Sequence, residues 1–173
     1  EMRRVRDLLP LVESVDVLVD LHSMLWPSDP LILASESKPS INLGLTLGTP
    51  RLTVADPGHS AGRRLVDHAR FTTPGSAAAA VLIEAGQHWE AGTVDAMAQT
   101  ARRALGHYGI AGPAPAPLPE PPLLARVTET VTAASHNFIF AREFRGGEII
   151  PQAGTVIAQD GAKEIRTPHD DCI

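Results

Sequence analysis

Six prolines crowd the twelve residues Ala111-Gly112-Pro113-Ala114-Pro115-Ala116-Pro117-Leu118-Pro119-Glu120-Pro121-Pro122. Each removes an amide donor and locks its own φ, so neither a helix interior nor a central strand can pass through this stretch. It reads as a stiff linker that separates residues 1–110 from residues 123–173, two segments whose hydrophobic patterns differ. The spacer role accounts for it without a proline-reading partner.

Before the linker, helical and extended patterns alternate. Val5, Leu8 and Leu9 stand at helical spacing, and Pro10 is expected to end that first helix. Val15 to Leu21, Leu31 to Ala34 and Arg51 to Ala55 are short runs of strand length bounded by Pro, Gly or Ser. Ala77 to Ile83 is continuously apolar between Gly75 and Gly86, which predicts a strand buried on both faces. Helices are expected over Ala61 to Arg70 and over Thr93 to His107. In the second, Val94, Met97, Ala101, Leu105 and Tyr108 make one apolar stripe and Gly109 ends the run. The fold class that follows is α/β, a sheet covered by helices. After the linker the helical period disappears. Leu124 to Thr132 alternates, and Phe138 to Phe140, Glu148 to Ile150 and Thr155 to Ala158 are short strands between glycines, so residues 123–173 read as a small all-β module. About fifty residues make a marginal core alone.

Charge and cysteine content remove several function classes. Fifteen basic against twenty acidic residues give a net charge of -5, which supplies no basic field for a phosphate backbone, so nucleic acid is not an expected partner. One cysteine, Cys172, can form neither an internal disulfide nor a thiolate zinc site, and any metal must use histidine and carboxylate ligands. No apolar run reaches the roughly twenty residues of a membrane span, and Glu1 to Arg6 carries no signal core. The expectation is a cytoplasmic protein with no membrane partner, a homo-oligomer left open. Both ends read abruptly, as if the chain were cut from a longer one.

Two strand ends carry the chemistry. In Val19-Asp20-Leu21-His22-Ser23, residues two apart share a face, so Asp20 and His22 point the same way at the carboxyl edge of a strand, where α/β folds place ligands. A neutral imidazole there can ligate zinc with the carboxylate setting its tautomer, and it can equally be a hydrogen-bonded histidine at a strand end. In Val81-Leu82-Ile83-Glu84-Ala85-Gly86, a carboxylate closes a very apolar strand. Partial desolvation there raises its pKa and suits it to proton transfer, unless the strand simply ends with Glu84 in water.

Taken together, Asp20-Leu21-His22-Ser23 followed some sixty residues later by Ile83-Glu84-Ala85-Gly86 resembles the succinylglutamate desuccinylase and aspartoacylase family, relatives of the zinc carboxypeptidases. Glu143 to Pro151 and Gly154 to Gly161 resemble that family's carboxy-terminal β domain. The resemblance implies a carboxypeptidase-like mixed sheet, and hydrolysis of the amide bond of an N-acyl amino acid with zinc as cofactor. It implies that His22 is one metal ligand, Asp20 its supporting carboxylate and Glu84 the catalytic proton carrier. Arg70, shortly before the Glu84 strand, is carried over as a residue for the substrate carboxylate, although its spacing departs from the family pattern. The family's His-x-x-Glu zinc motif does not precede His22 here, which implies an amino-terminally truncated member, expected to be inactive by itself. A non-catalytic relative that captures a small carboxylate is the alternative. Three further features stay open: the loop Asp56 to Ser60 with Arg63 and Arg64 as an anion-receiving helix start or a capped turn, Trp26 to Pro30 as a pocket wall or a rigid loop, and the β module as an interaction element. His68, His88, His107, His136 and His169 lack ligand spacing and read as surface or packing residues.

Overall fold

The computed structural model describes residues 2–58 and 62–173. Among them the elements run α1 (Met2–Ser14), β1 (Val17–Met24), β2 (Leu31–Ala34), α2 (Lys38–Leu47), β3 (Leu52–Ala55), a 3-10 turn (Leu65–Asp67), α3 (Ala69–Thr72), β4 (Ala79–Gln87), α4 (Ala91–His107), β5 (Leu123–Arg126), β6 (Phe138–Phe140), β7 (Val156–Asp160) and β8 (Lys163–Arg166). They form two units, one of residues 1–25 and 30–127, the other of residues 26–29 and 128–173.

The first unit is built on a five-stranded mixed sheet of order β1-β4-β2-β3-β5. β1 runs parallel to β4, β2 runs antiparallel to β4, and β3 and β5 run parallel to β2. The apolar run expected to be buried on both faces is β4, and its alternation divides two cores. Ala79, Val81, Ile83 and Ala85 join Ile32, Ile41, Leu43 and Leu47 on the side of α2 and α4. Ala80 and Leu82 join Val66 and Phe71 on the other side. The α/β expectation therefore holds, with helices on the sheet as predicted.

Several elements depart from the sequence pattern. α1 continues through Pro10; the Arg6 carbonyl that loses its partner lies on an exposed stretch, open to solvent. The expected helix from Ala61 to Arg70 is instead the 3-10 turn and the four-residue α3, with residues 59–61 outside the described residues. α2 was not anticipated. Ser37 caps it by accepting from the Ser40 amide, Pro39 sits in its first turn, and Gly48 closes it at φ 56° by donating to the Gly44 carbonyl.

The proline-rich stretch is also not the boundary. It carries the chain back along α4 and delivers β5 to the edge of the first sheet, so the unit ends at Val127 rather than before residue 111. Proline segments bring carbonyls without matching donors, and arginines supply them: Arg103 Nη1 donates to the Ala116 carbonyl at 3.0 Å and Arg51 Nε to the Pro121 carbonyl at 2.9 Å. Arg103 Nε also donates to the Leu47 carbonyl at 2.7 Å, which ties the end of α2 to the same α4 residue.

The second unit holds the antiparallel sheet β6-β7-β8. The strands at Phe138–Phe140 and Val156–Asp160 match expectation, while Glu148 to Ile150 contributes one isolated bridge between Ile150 and Cys172. Trp26 to Asp29 belongs to this unit through a bridge between Ser28 and Gly146 and through Arg145 Nε, 2.6 Å from Asp29 Oδ1.

The close approach of the proline stretch to α4 is testable. A Cβ on Gly106 would stand 2.4 Å from the Pro113 carbonyl oxygen, a backbone atom that cannot swing aside. Overpacking of that kind costs about 1–3 kcal/mol, against a helix-propensity gain of about 1 kcal/mol for Gly to Ala. Gly106→Ala is therefore expected to lower the urea midpoint, by a net loss of up to about 2 kcal/mol. Gly92→Ala in the same helix, where a Cβ meets nothing within 4 Å, is expected to leave it unchanged or raise it.

Candidate active site

Adjacent positions of β1 and β4 lie about 4.8 Å apart and share a face. On one face the partner pairs are Leu18 with Ala80, Asp20 with Leu82 and His22 with Glu84. The row thus changes from apolar to polar towards the carboxyl ends of both strands. The structure brings together three of the four residues singled out in the sequence, and strand register alone does it.

Asp20 Oδ2 lies 3.0 Å from His22 Nε2, with the imidazole about half exposed and the carboxylate mostly covered. The carboxylate takes up the Nε2 side and leaves Nδ1 as the ring nitrogen turned away from it, the arrangement in which a second partner sets the tautomer of a ligating histidine.

Glu84 stands between unlike neighbours. His22 is its partner on β1 and Leu31 its partner on β2. Burial pushes its pKa up from the ordinary 4.5, the charge of His22 draws it down, Asp20 raises it and His88 lowers it, with burial the largest influence. Its Oε2 is buried and has no hydrogen-bond partner. A buried carboxylate oxygen without a donor is costly and rare, so this atom marks a place where a polar ligand group can be received.

The fourth residue is elsewhere. Arg70 donates through Nε to the Val15 carbonyl and through Nη2 to Asp16 Oδ1 at 2.8 Å. Six residues of extended chain, about 20 Å, separate Asp16 from His22 along β1. Arg70 therefore serves the amino end of the strand, and its assignment to the substrate carboxylate is corrected. Arg64 is likewise not free to receive an anion. It forks onto Asp67 through Nε and Nη2, both at 2.9 Å, and reaches Asp56 Oδ2 at 2.6 Å, all three side chains largely covered. His59 and Ser60, the rest of that loop, lie outside the described residues. Trp26 is largely exposed, in the second unit. His88, read in the sequence as a surface or packing residue, is close enough to act on Glu84, and only its position two residues after Gly86 could have drawn attention to it.

Among the described residues no three His, Cys, Asp or Glu side chains are grouped so as to hold a metal ion. The chain offers zinc one imidazole there, and a catalytic shell takes three protein ligands, so the described residues by themselves do not fit the ion. No helix among the described residues is long and apolar enough to cross a membrane.

No protein-family model matches the sequence, and neither does any curated protein. Solved structures do. The chain has the fold of the succinylglutamate desuccinylases. It superposes on the succinylglutamate desuccinylase of Vibrio parahaemolyticus with a TM-score of 0.67 at 18% identity, covering 98% of this chain and 53% of that one. The enzyme of the same name from Vibrio cholerae gives 0.67 at 16% identity, over 96% and 52%. An ectoine utilization protein of Ruegeria pomeroyi gives 0.62 at 15% identity, over 96% and 57%. The chain spans about half the length of these solved chains. The mixed sheet and the small antiparallel sheet are thus those that the sequence resemblance implied.

Raising the pKa of Glu84 means that the fold holds its neutral form better than its anion. The stability this contributes is full below the unfolded value of 4.5 and is lost as pH rises through the higher folded value. Glu84→Gln, permanently neutral, is expected to be more stable than the parent chain at pH 7, and the difference is expected to close as pH falls below 4.5. Paired urea unfolding curves at pH 4 and pH 7 measure it; a gain that is independent of pH contradicts the burial of the charge.

Proposed function

We propose that the chain carries the proton-transfer half of an amide hydrolase acting on N-acyl amino acids, with Glu84 as general base and then general acid. The observation that carries this reading is the partnerless, buried Glu84 Oε2 beside His22 at the carboxyl ends of two parallel strands. A carboxylate so placed has a pKa moved towards neutrality, which general catalysis needs. Its anion takes a proton from water as the water oxygen adds to the amide carbonyl carbon. The carbon–nitrogen bond then breaks, the same proton passes to the leaving nitrogen, and Glu84 returns to the carboxylate with a free amine and a carboxylic acid as products. Asp20 engages His22 through Nε2 and leaves Nδ1 as the ring nitrogen not bonded to that carboxylate. In this proposal His22 gives one ligand to a zinc ion whose other ligands are not among the described residues. The fold shared with the Vibrio desuccinylases supports the substrate class.

The lack of a three-ligand cluster among the described residues favours a second reading, a small-carboxylate-binding relative without turnover. Incubating the gene product that contains these residues with N-succinyl and N-acetyl amino acids, with and without added zinc, separates the two. Turnover is expected, and Glu84→Gln is expected to reduce kcat by about 100-fold or more with KM little changed. His22→Ala is expected to lower the zinc content measured by elemental analysis. Saturable binding without turnover in the presence of zinc supports the second reading.

A further inference from the structure

One residue past His22 and Glu84 the two strands fall out of step. The partner pairs pass from His22 with Glu84 to Met24 with Gln87, so Ser23 on β1 faces both Ala85 and Gly86 on β4. Gly86 takes φ 110°, a conformation that side chains resist, which makes the extra residue possible. Bulges of this kind turn neighbouring side chains to new directions and gather beside active sites.

This bulge is held from the far side. The His88 amide donates to the Met24 carbonyl at 2.9 Å, Gln87 Nε2 donates to the Leu25 carbonyl at 3.1 Å, and Ser23 Oγ lies 2.5 Å from His88 Nδ1. The first two bonds close the strands on each other. The third is different in kind, because it runs from the one residue opposite the bulge, Ser23, to a ring beyond the end of β4. Trp89 packs edge-on to that ring with centroids 5.6 Å apart.

We propose that Ser23 and His88 are a positioning pair that holds this bulge and thereby sets His22 against Glu84. The proposal rests on the reading of Glu84 as proton carrier and deepens it: turnover of the acyl amino acid depends on a side chain that touches neither substrate nor scissile bond. Losing the pair leaves the His88 amide bond to Met24 and the Gln87 side-chain bond to Leu25 in place, so the strands stay paired while the direction of His22 relaxes. Partners that orient a ligand or base in this way are typically worth about 10- to 100-fold in activity.

The test uses His88→Ala, Ser23→Ala, the double variant and His88→Asn, whose side-chain amide approximates the position of Nδ1. The first readout is the His22 ring signals in NMR spectra of the 173-residue chain. His88→Ala is expected to move them, the double variant to move them no further than the larger single effect, and His88→Asn to restore them. The second is hydrolysis by the gene product, where His88→Ala is expected to lower kcat about tenfold with KM unchanged. His22 signals that ignore His88→Ala overturn the proposal, as do moved signals with an unchanged kcat. Absence of turnover in the unsubstituted protein overturns the hydrolase reading instead, and the spectra still decide whether the pair positions His22.

Discussion

Burial of β4 on both faces is the constraint from which the first unit follows. Its odd-numbered residues from Ala79 to Ala85 fill one core, and Ala80 and Leu82 fill the other. A strand with one buried face already resists a slip by one residue, which would turn its apolar row to solvent; here the slip would in addition exchange two sets of side chains between cores of different shape. The register is therefore held by packing along its whole apolar length. Glu84 inherits its place from that register, on the face of Leu82 and opposite His22, without any interaction of its own to put it there.

That inheritance explains how an unsatisfied carboxylate persists. Leaving Oε2 without a donor costs about 1–3 kcal/mol, and the hydrophobic run behind it sustains the cost. The chain contains a useful contrast in Arg64, Asp56 and Asp67. Those charges are also largely covered, yet each finds a partner at 2.9 Å or less, and the cluster closes the segment before α3 on itself. Satisfied charges of that type stabilise a loop. Glu84 has burial without closure, which is the combination expected where a ligand completes the hydrogen bonding.

Local chemistry was legible in the sequence and pairing was not. The apolar run of β4, the shared face of Asp20 and His22 and the carboxylate after that run all follow from the pattern, although β4 continues past Glu84 to Gln87. α2 was announced by a capping Ser37, an early Pro39 and a closing Gly48, signals overlooked beside the uneven hydrophobic pattern of Ile41 to Leu47. The alternation from Leu124 marks β5 as extended, but the sheet it joins could not be read, because six prolines before it suggest separation while its strand partner, β3, lies some seventy residues earlier. Arg70 failed for the same reason: proximity to β4 along the chain says nothing about which end of the sheet a short helix meets. His88 was missed because one extra residue in a bulge moves a side chain relative to its neighbours in a way that no period describes.

The mixed direction of the sheet supplies the last element of the site. Had all strands run parallel, Glu84 would stand among carboxyl ends on both sides, where loops and water gather. Instead β2 is antiparallel, and its first residue, Leu31, faces Glu84 from the side opposite His22. One flank therefore presents an apolar side chain while the other presents an ionisable ring. Two influences act on the carboxylate in opposite directions: burial penalises its anion, and the charge of His22 favours it, with burial the larger. The direction of β2 thus decides which residue stands on that flank of Glu84, an apolar strand start in place of another carboxyl end.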